Sequence, residues 1–125
     1  MKYICPLIVV EDINRSRLLY EKILKQKIKA NHGENVVFEG DFALHQKSHF
    51  QSLINDYPVI AHSNNFELYF EEENLEEIEK ILEEHNFEFI HRIKEQPWKQ
   101  KVLRFYDYDK NIIEIGEPMK NFLIR

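Results

Sequence analysis

Cysteine is all but missing: Cys5 is the single one in 125 residues, so no internal disulfide framework can form and a reducing compartment is expected. No window comes near the roughly 20 consecutive apolar residues of a membrane span. The first residues, MKYICPLIVVEDINR, carry a lysine and a short apolar run but no small-residue cleavage site, which argues against a signal peptide. Lysine and arginine form no stripe, and the net charge of -5 disfavours a nucleic-acid partner. Also lacking are a glycine-rich phosphate loop, a nucleophile elbow, zinc-finger spacing and the aspartate spacing of an EF-hand. What remains is a small cytoplasmic protein with neither a membrane nor a nucleic acid as partner.

Hydrophobic residues make up 43% of the chain and aromatics 13%, enough for one core; charged residues at 31% solvate the surface. The length suits one domain. Acidity is concentrated in residues 71–84, where Glu71, Glu72 and Glu73 stand at the entrance of a helix, a favourable place for negative charge.

The hydrophobic pattern then gives an order of elements. Residues 3–10 form a β-branched apolar run and predict a strand. Asp12 or Asn14 can cap a helix that places Leu18, Leu19, Ile23 and Leu24 on one face, with Glu21 and Lys25 paired on the wet side. Residues 27–30, 36–39 and 43–47 predict three more strands, with Gly33 and Gly40 at the turns. Residues 48–58 are irregular, with a short helical turn at 50–54, and lead through a polar stretch at 62–65 into a second half. That half repeats the order: a strand at 66–70, an Asn74-capped helix burying Leu75, Ile78, Ile81 and Leu82, then strands at 87–93, 102–107 and 112–116. Residues 108–111 make the last tight turn. The fold class is therefore α+β: two βαβββ modules, about 1–58 and about 64–125, within a single domain spanning 1–125.

Three stretches add a resemblance to this pattern. VVEDINRSRLLYEKILKQK, ELYFEEENLEEIEKIL and QPWKQKVLRFYDYDKNIIEIGE together resemble the vicinal oxygen chelate superfamily of glyoxalases, bleomycin-resistance proteins and dioxygenases. The resemblance implies a curved, cup-shaped mixed sheet, a small-molecule ligand and a homodimer. Where the family motif has glycine, this chain has Lys99 and Lys110, and Lys25 or Gln26 after Leu24; Tyr108 stands where proline is usual. The family's metal positions fall on Cys5, His45, Glu67 and Glu114, and would take Zn, Ni, Mn or Fe.

Each of these residues also has a plainer reading. Glu114 alternates with Ile113 and Ile115, so it points away from them, either into the cup or as a solvated strand glutamate. His45 is a good divalent-metal ligand or a strand histidine bonded to a carbonyl. Glu67, which shares a face with Tyr69, is a ligand or an exposed neighbour of the acidic helix. Cys5 is a soft ligand or a small buried hydrophobe. Trp98 lines the cup, lies at a dimer seam, or anchors the core. Arg104 and Tyr106 share a face opposite Leu103 and Phe105; Arg104 grips an anionic group of a substrate or pairs with Glu114 or Glu67.

Two functions of different class follow. In the first, a divalent ion held by His45, Glu67 and Glu114 acts as a Lewis acid, and Glu67 or Glu114 moves a proton, as a glyoxalase-type lyase would need. Dioxygenase chemistry calls for two histidines and one carboxylate, which this set lacks. In the second, no metal is present, and Trp98, Tyr69, Tyr106 and the acidic groups hold a ligand, as in antibiotic-sequestering relatives. An acidic, aromatic site of that kind suits a cationic guest.

Overall fold

The computed structural model describes residues 1–62 and 64–119. The chain divides into two compact units, Met1–Ala61 and His62–Arg125. In the first, β1 (Leu7–Val10) leads into α1 (Ile13–Arg17), followed by β2 (Ile28–Asn31), β3 (Asn35–Phe38), β4 (Phe42–Gln46) and α2 (Lys47–Leu53). In the second come β5 (Glu67–Glu71), α3 (Leu75–Glu84), β6 (Phe89–Glu95), β7 (Lys101–Tyr106) and β8 (Ile112–Gly116). Each unit holds one four-stranded mixed sheet, in the orders β1-β4-β3-β2 and β5-β8-β7-β6. The pairs β1–β4 and β5–β8 are parallel and the other pairs antiparallel. This is the repeated βαβββ order that the hydrophobic pattern implies. Among the described residues no helix is long and apolar enough to cross a membrane.

The first core forms on one sheet face. Ile8, Leu44 and Val36 lie side by side in register and are buried, together with Leu19, Tyr20, Phe38 and Phe42. Phe38 and Phe42 stack at 4.8 Å, and Tyr20 tilts against Phe42 at 5.8 Å. Burying side chains of this size stabilises by roughly 1.5–3 kcal/mol each.

Asp12 caps α1, accepting from the backbone N–H groups of Asn14 and Arg15 at 3.0 and 3.2 Å. The helix then widens into a π-helical stretch, Leu18–Ile23, with Leu24 N–H bonded to Leu19 C=O. The wider turn changes the face that points inward. Leu19 and Tyr20 are buried while Leu18 stays 54% exposed, contrary to the regular helical spacing. The ion pair on this surface is Arg17 with Glu21, at 2.8 Å, rather than Glu21 with Lys25. That Arg17 contact holds the Glu21 carboxyl below its ordinary pKa.

In the second unit the amphipathic α3 buries Leu75, Ile78 and Leu82. Asn74 caps it, accepting from Glu77 N–H at 3.1 Å while its amide donates to the Glu77 carboxylate at 3.1 Å. Phe87, Leu103, Phe105, Ile113 and Ile115 complete the core beneath it. The turn before β8 is tied by the buried Asp107, whose carboxylate accepts from the backbone of Asp109 and Asn111 and from the Asn111 amide at 2.8–2.9 Å.

Lys25, Lys99 and Lys110 all adopt left-handed backbone, with φ of 59, 72 and 65°. These are the positions where the resembling motif carries glycine, so this chain keeps the backbone path and accepts strain of about 1 kcal/mol per site. Exchanging all three for glycine is expected to raise stability by roughly 1–2 kcal/mol, seen as a higher urea midpoint at unchanged slope. An unchanged midpoint would show that Lys99 and Lys110 recover the strain through Glu95 and Glu88, the carboxylates beside them.

Candidate functional site

The face of the second sheet opposite α3 carries the polar residues. Register places Tyr69, Glu114, Arg104 and His91 in one row across β5, β8, β7 and β6. Because neighbours along a strand alternate, Ile113, Ile115, Leu103 and Phe105 point the other way, into the core.

Arg104 is the centre of this row. Its Nε donates to Glu67 Oε1 at 3.1 Å and its Nη2 to Glu114 Oε1 at 3.1 Å. Its Nη1 donates to Gln96 Oε1 at 3.1 Å and to His91 Nε2 at 3.0 Å. Four of the five guanidinium N–H bonds are thereby engaged. His91 Nδ1 lies 2.8 Å from the Arg92 carbonyl, which only a protonated nitrogen can satisfy. His91 is therefore the neutral Nδ1–H tautomer, with its Nε2 lone pair aimed at Arg104. The Glu114 side chain is fully buried, Arg104 is 19% exposed and Glu67 is 42% exposed.

Beside Glu67 and Arg104 lies a cavity of about 340 Å³. Phe66, Ile90 and Ile112 form its apolar wall, and Asn64 and Asn65 its polar rim. Phe66 and Ile90 are 40% and 41% exposed, open for such large apolar side chains. The volume is within the range of small-molecule sites, near its lower end.

A divalent ion does not fit this arrangement. To bridge Glu67 and Glu114 it would need carboxylate oxygens at about 2.0–2.2 Å, where the guanidinium now sits. Arg104 already takes one oxygen of each carboxylate, so an ion bridging them would sit against a guanidinium that repels it. Among the described residues no group of three or more His, Cys, Asp or Glu side chains is placed to hold a metal.

The alternating polar row, the βαβββ repeat and the tight turn before β8 all lie inside one match: the glyoxalase-like domain family covers residues 3–120. The chain belongs to that family. Solved structures share the fold. A protein of unknown function from Agrobacterium tumefaciens is 35% identical, with 95% of each chain covered and a TM-score of 0.84. A hypothetical protein of S. aureus is 18% identical, with 94% of each chain covered and a TM-score of 0.76. A glyoxalase/bleomycin resistance protein/dioxygenase family enzyme from Burkholderia phytofirmans is 12% identical, covering 94% of this chain and all 100% of its own, with a TM-score of 0.77. At that identity the last two share the fold and carry no activity across. No curated protein matches the chain.

The other residues singled out in this glyoxalase-like sequence have partners elsewhere. Tyr69 follows Glu114 in register, but its hydroxyl donates to Glu71 at 2.6 Å and accepts from Gln100 at 2.8 Å. Trp98 donates its indole N–H to Gln100 Oε1 at 2.7 Å. Tyr106 has the Lys110 ammonium 5.3 Å from its ring centre. Cys5 is half-buried just before β1.

His45 belongs to the first unit, on the sheet face that also carries Asn35. Its Nε2 meets His49 Nδ1 at 2.8 Å, and His49 Nε2 meets Glu34 at 3.3 Å. With His49 as a neutral ring donating to Glu34, its Nδ1 accepts from His45, leaving Nδ1 of His45 as the basic atom. Burial, with His49 beside it, pushes the His45 pKa down, opposed by Glu34, so this ring is neutral near pH 7.

Sequence reasoning passed over His91, Gln96, Gln100 and His49. The spacing of His45 and His49 was a usable signal once α2 begins at Lys47 rather than at residue 50. No comparable signal marks His91, because register shifts on both sides of it break the period of β6.

Proposed function

We propose that this protein is a metal-free binding module for small molecules that join an apolar body to a cationic or hydrogen-bond-donating head, acting in the cytoplasm as a homodimer. One observation carries the reading: the Arg104 guanidinium stands between Glu67 and Glu114, where the metal-dependent alternative needs its ion. Two carboxylates against one guanidinium leave a net charge of -1 beside the cavity, so an anionic head is repelled and an ammonium is favoured. The half-exposed Glu67 is the group such a head can reach, and Phe66, Ile90 and Ile112 receive the apolar body. The compartment and the dimer rest on the lone cysteine and on the family resemblance.

Calorimetry with phenethylamine, phenethyl alcohol and phenylacetate, compounds of one shape and three charges, tests this. The amine is expected to bind saturably and to lose at least about tenfold in affinity in Glu67→Gln, a difference of about 1.4 kcal/mol. Preference for phenylacetate would reverse the assignment of charge. Tight binding of one Zn, Ni, Mn or Co ion per chain, abolished by Glu114→Gln, would overturn the metal-free reading altogether.

A further inference from the structure

Four acceptors from four parts of the second unit converge on one cation: Glu67 on β5, Glu114 on β8, His91 on β6, and Gln96 in the segment between β6 and β7. The chemistry of the set is notable. Two carboxylates, a neutral imidazole with its lone pair turned inward and an amide oxygen are all donors that divalent metals accept. None of the four is a cation, and Glu67, Glu114 and His91 stand on strands of the one sheet. Glu114 and His91 flank Arg104 in register on either side, so deleting the arginine side chain opens a space between them.

We propose that Arg104 is a built-in replacement for a divalent ion, and that Glu67, Glu114 and His91 form a latent cation site which the guanidinium keeps closed. The inference rests on the metal-free reading of the wild-type chain. Planar and spread over three nitrogens, the guanidinium satisfies the acceptors at about 3 Å each without drawing them together. A metal needs the same acceptors at about 2.0–2.2 Å from a single point. Arginine thus does more than neutralise charge, because its nitrogens fill the space beside both carboxylates that a bridging ion would take. Unlike a bound metal, it cannot be removed by a chelator or exchanged for another ion. It also leaves no open coordination position at which substrate oxygens could be polarised.

The test titrates the full-length protein with Mn(II), Co(II) and Zn(II) alone, using calorimetry and, for Co(II), the visible absorption that reports ligand type. Wild type is expected to bind no ion at this site, and its thermal unfolding should not respond to a chelator. Arg104→Ala is expected to bind one ion per chain at least about tenfold more tightly than wild type. That gain should disappear in Arg104→Ala combined with Glu114→Gln, and weaken with His91→Ala. Arg104→Met removes the charge but fills the space, and should gain less than Arg104→Ala. If Arg104→Ala fails to fold without metal, Arg104→Gln is titrated in its place, with the same gain expected. Equal metal affinity in wild type and the folded variant, or a gain that survives Glu114→Gln, overturns the latent site. Tight binding by wild type at Glu114 would instead defeat the metal-free reading, so the two failures are distinct.

Discussion

Exchanging Arg104 for methionine is expected to destabilise the fold by about 3–5 kcal/mol, because it strands a charge rather than simply deleting a contact. The Glu114 side chain is fully buried and receives an Arg104 N–H at 3.1 Å. Methionine nearly fills the volume of the arginine stem, so the cost is electrostatic and not that of a cavity. Left without its cation, the buried carboxylate should take up a proton, and its pKa in the folded variant rises above the unfolded value. A raised folded pKa gives stability below the unfolded pKa that is lost as pH rises through the folded one, so the penalty should be smaller near about pH 5 than near about pH 8. Urea unfolding at both pH values measures this. Adding Glu114→Gln to Arg104→Met should recover a large part of the loss, since the amide carries no charge to desolvate. A loss below about 1 kcal/mol, equal at both pH values, would mean that water screens the pair as it does a surface ion pair.

The same residues mark where the sequence was informative and where it was not. Strand alternation was enough to separate Glu114 and Arg104 from Ile113, Ile115, Leu103 and Phe105, because side chains on a strand change face with every residue. Their mutual pairing was one of the two readings open for Arg104, and Arg104 makes contact with both Glu114 and Glu67. The cap at Asn74 and the buried face of α3 were likewise written in local spacing. What stayed hidden depends on register or on departures from a regular period. The π-helical turn that exposes Leu18 and the shifts in β6 that bring His91 beside Arg104 leave no periodic trace. The family likeness carried the positions of a metal site without saying that an arginine on the neighbouring strand would reach them. Lysines stand at glycine positions of the motif, and Lys25, Lys99 and Lys110 keep the left-handed backbone there.

Gly116→Ala should be almost as damaging as the loss of Arg104, though the change is a single methyl group. A Cβ at this position would lie 2.4 Å from Gln100 Nε2, 3.0 Å from its Cδ and 3.2 Å from Val102 Cγ1. The backbone of Gly116 is outside the left-handed region, so alanine meets a problem of space alone. A flexible side chain would ordinarily swing aside, but Gln100 is 3% exposed and held at both ends. Its amide donates to the Tyr69 hydroxyl at 2.8 Å and to the Glu117 carbonyl at 2.7 Å, and its oxygen accepts from the Trp98 indole at 2.7 Å. Relieving the clash means breaking some of those bonds or bending β8 at the end that pairs with β7. Overpacking together with lost buried hydrogen bonds gives an expected cost of about 2–4 kcal/mol. Trp98 is the lone tryptophan, so its fluorescence reports on this network directly. Emission should move to longer wavelength in Gly116→Ala as the indole loses Gln100 and gains water. Shortening the obstructing side chain separates clash from backbone: Gly116→Ala with Gln100→Ala should be more stable than the sum of the two single losses predicts. Simple additivity would show that the methyl is accommodated without touching Gln100, and the tightness of this corner would then have to come from Val102.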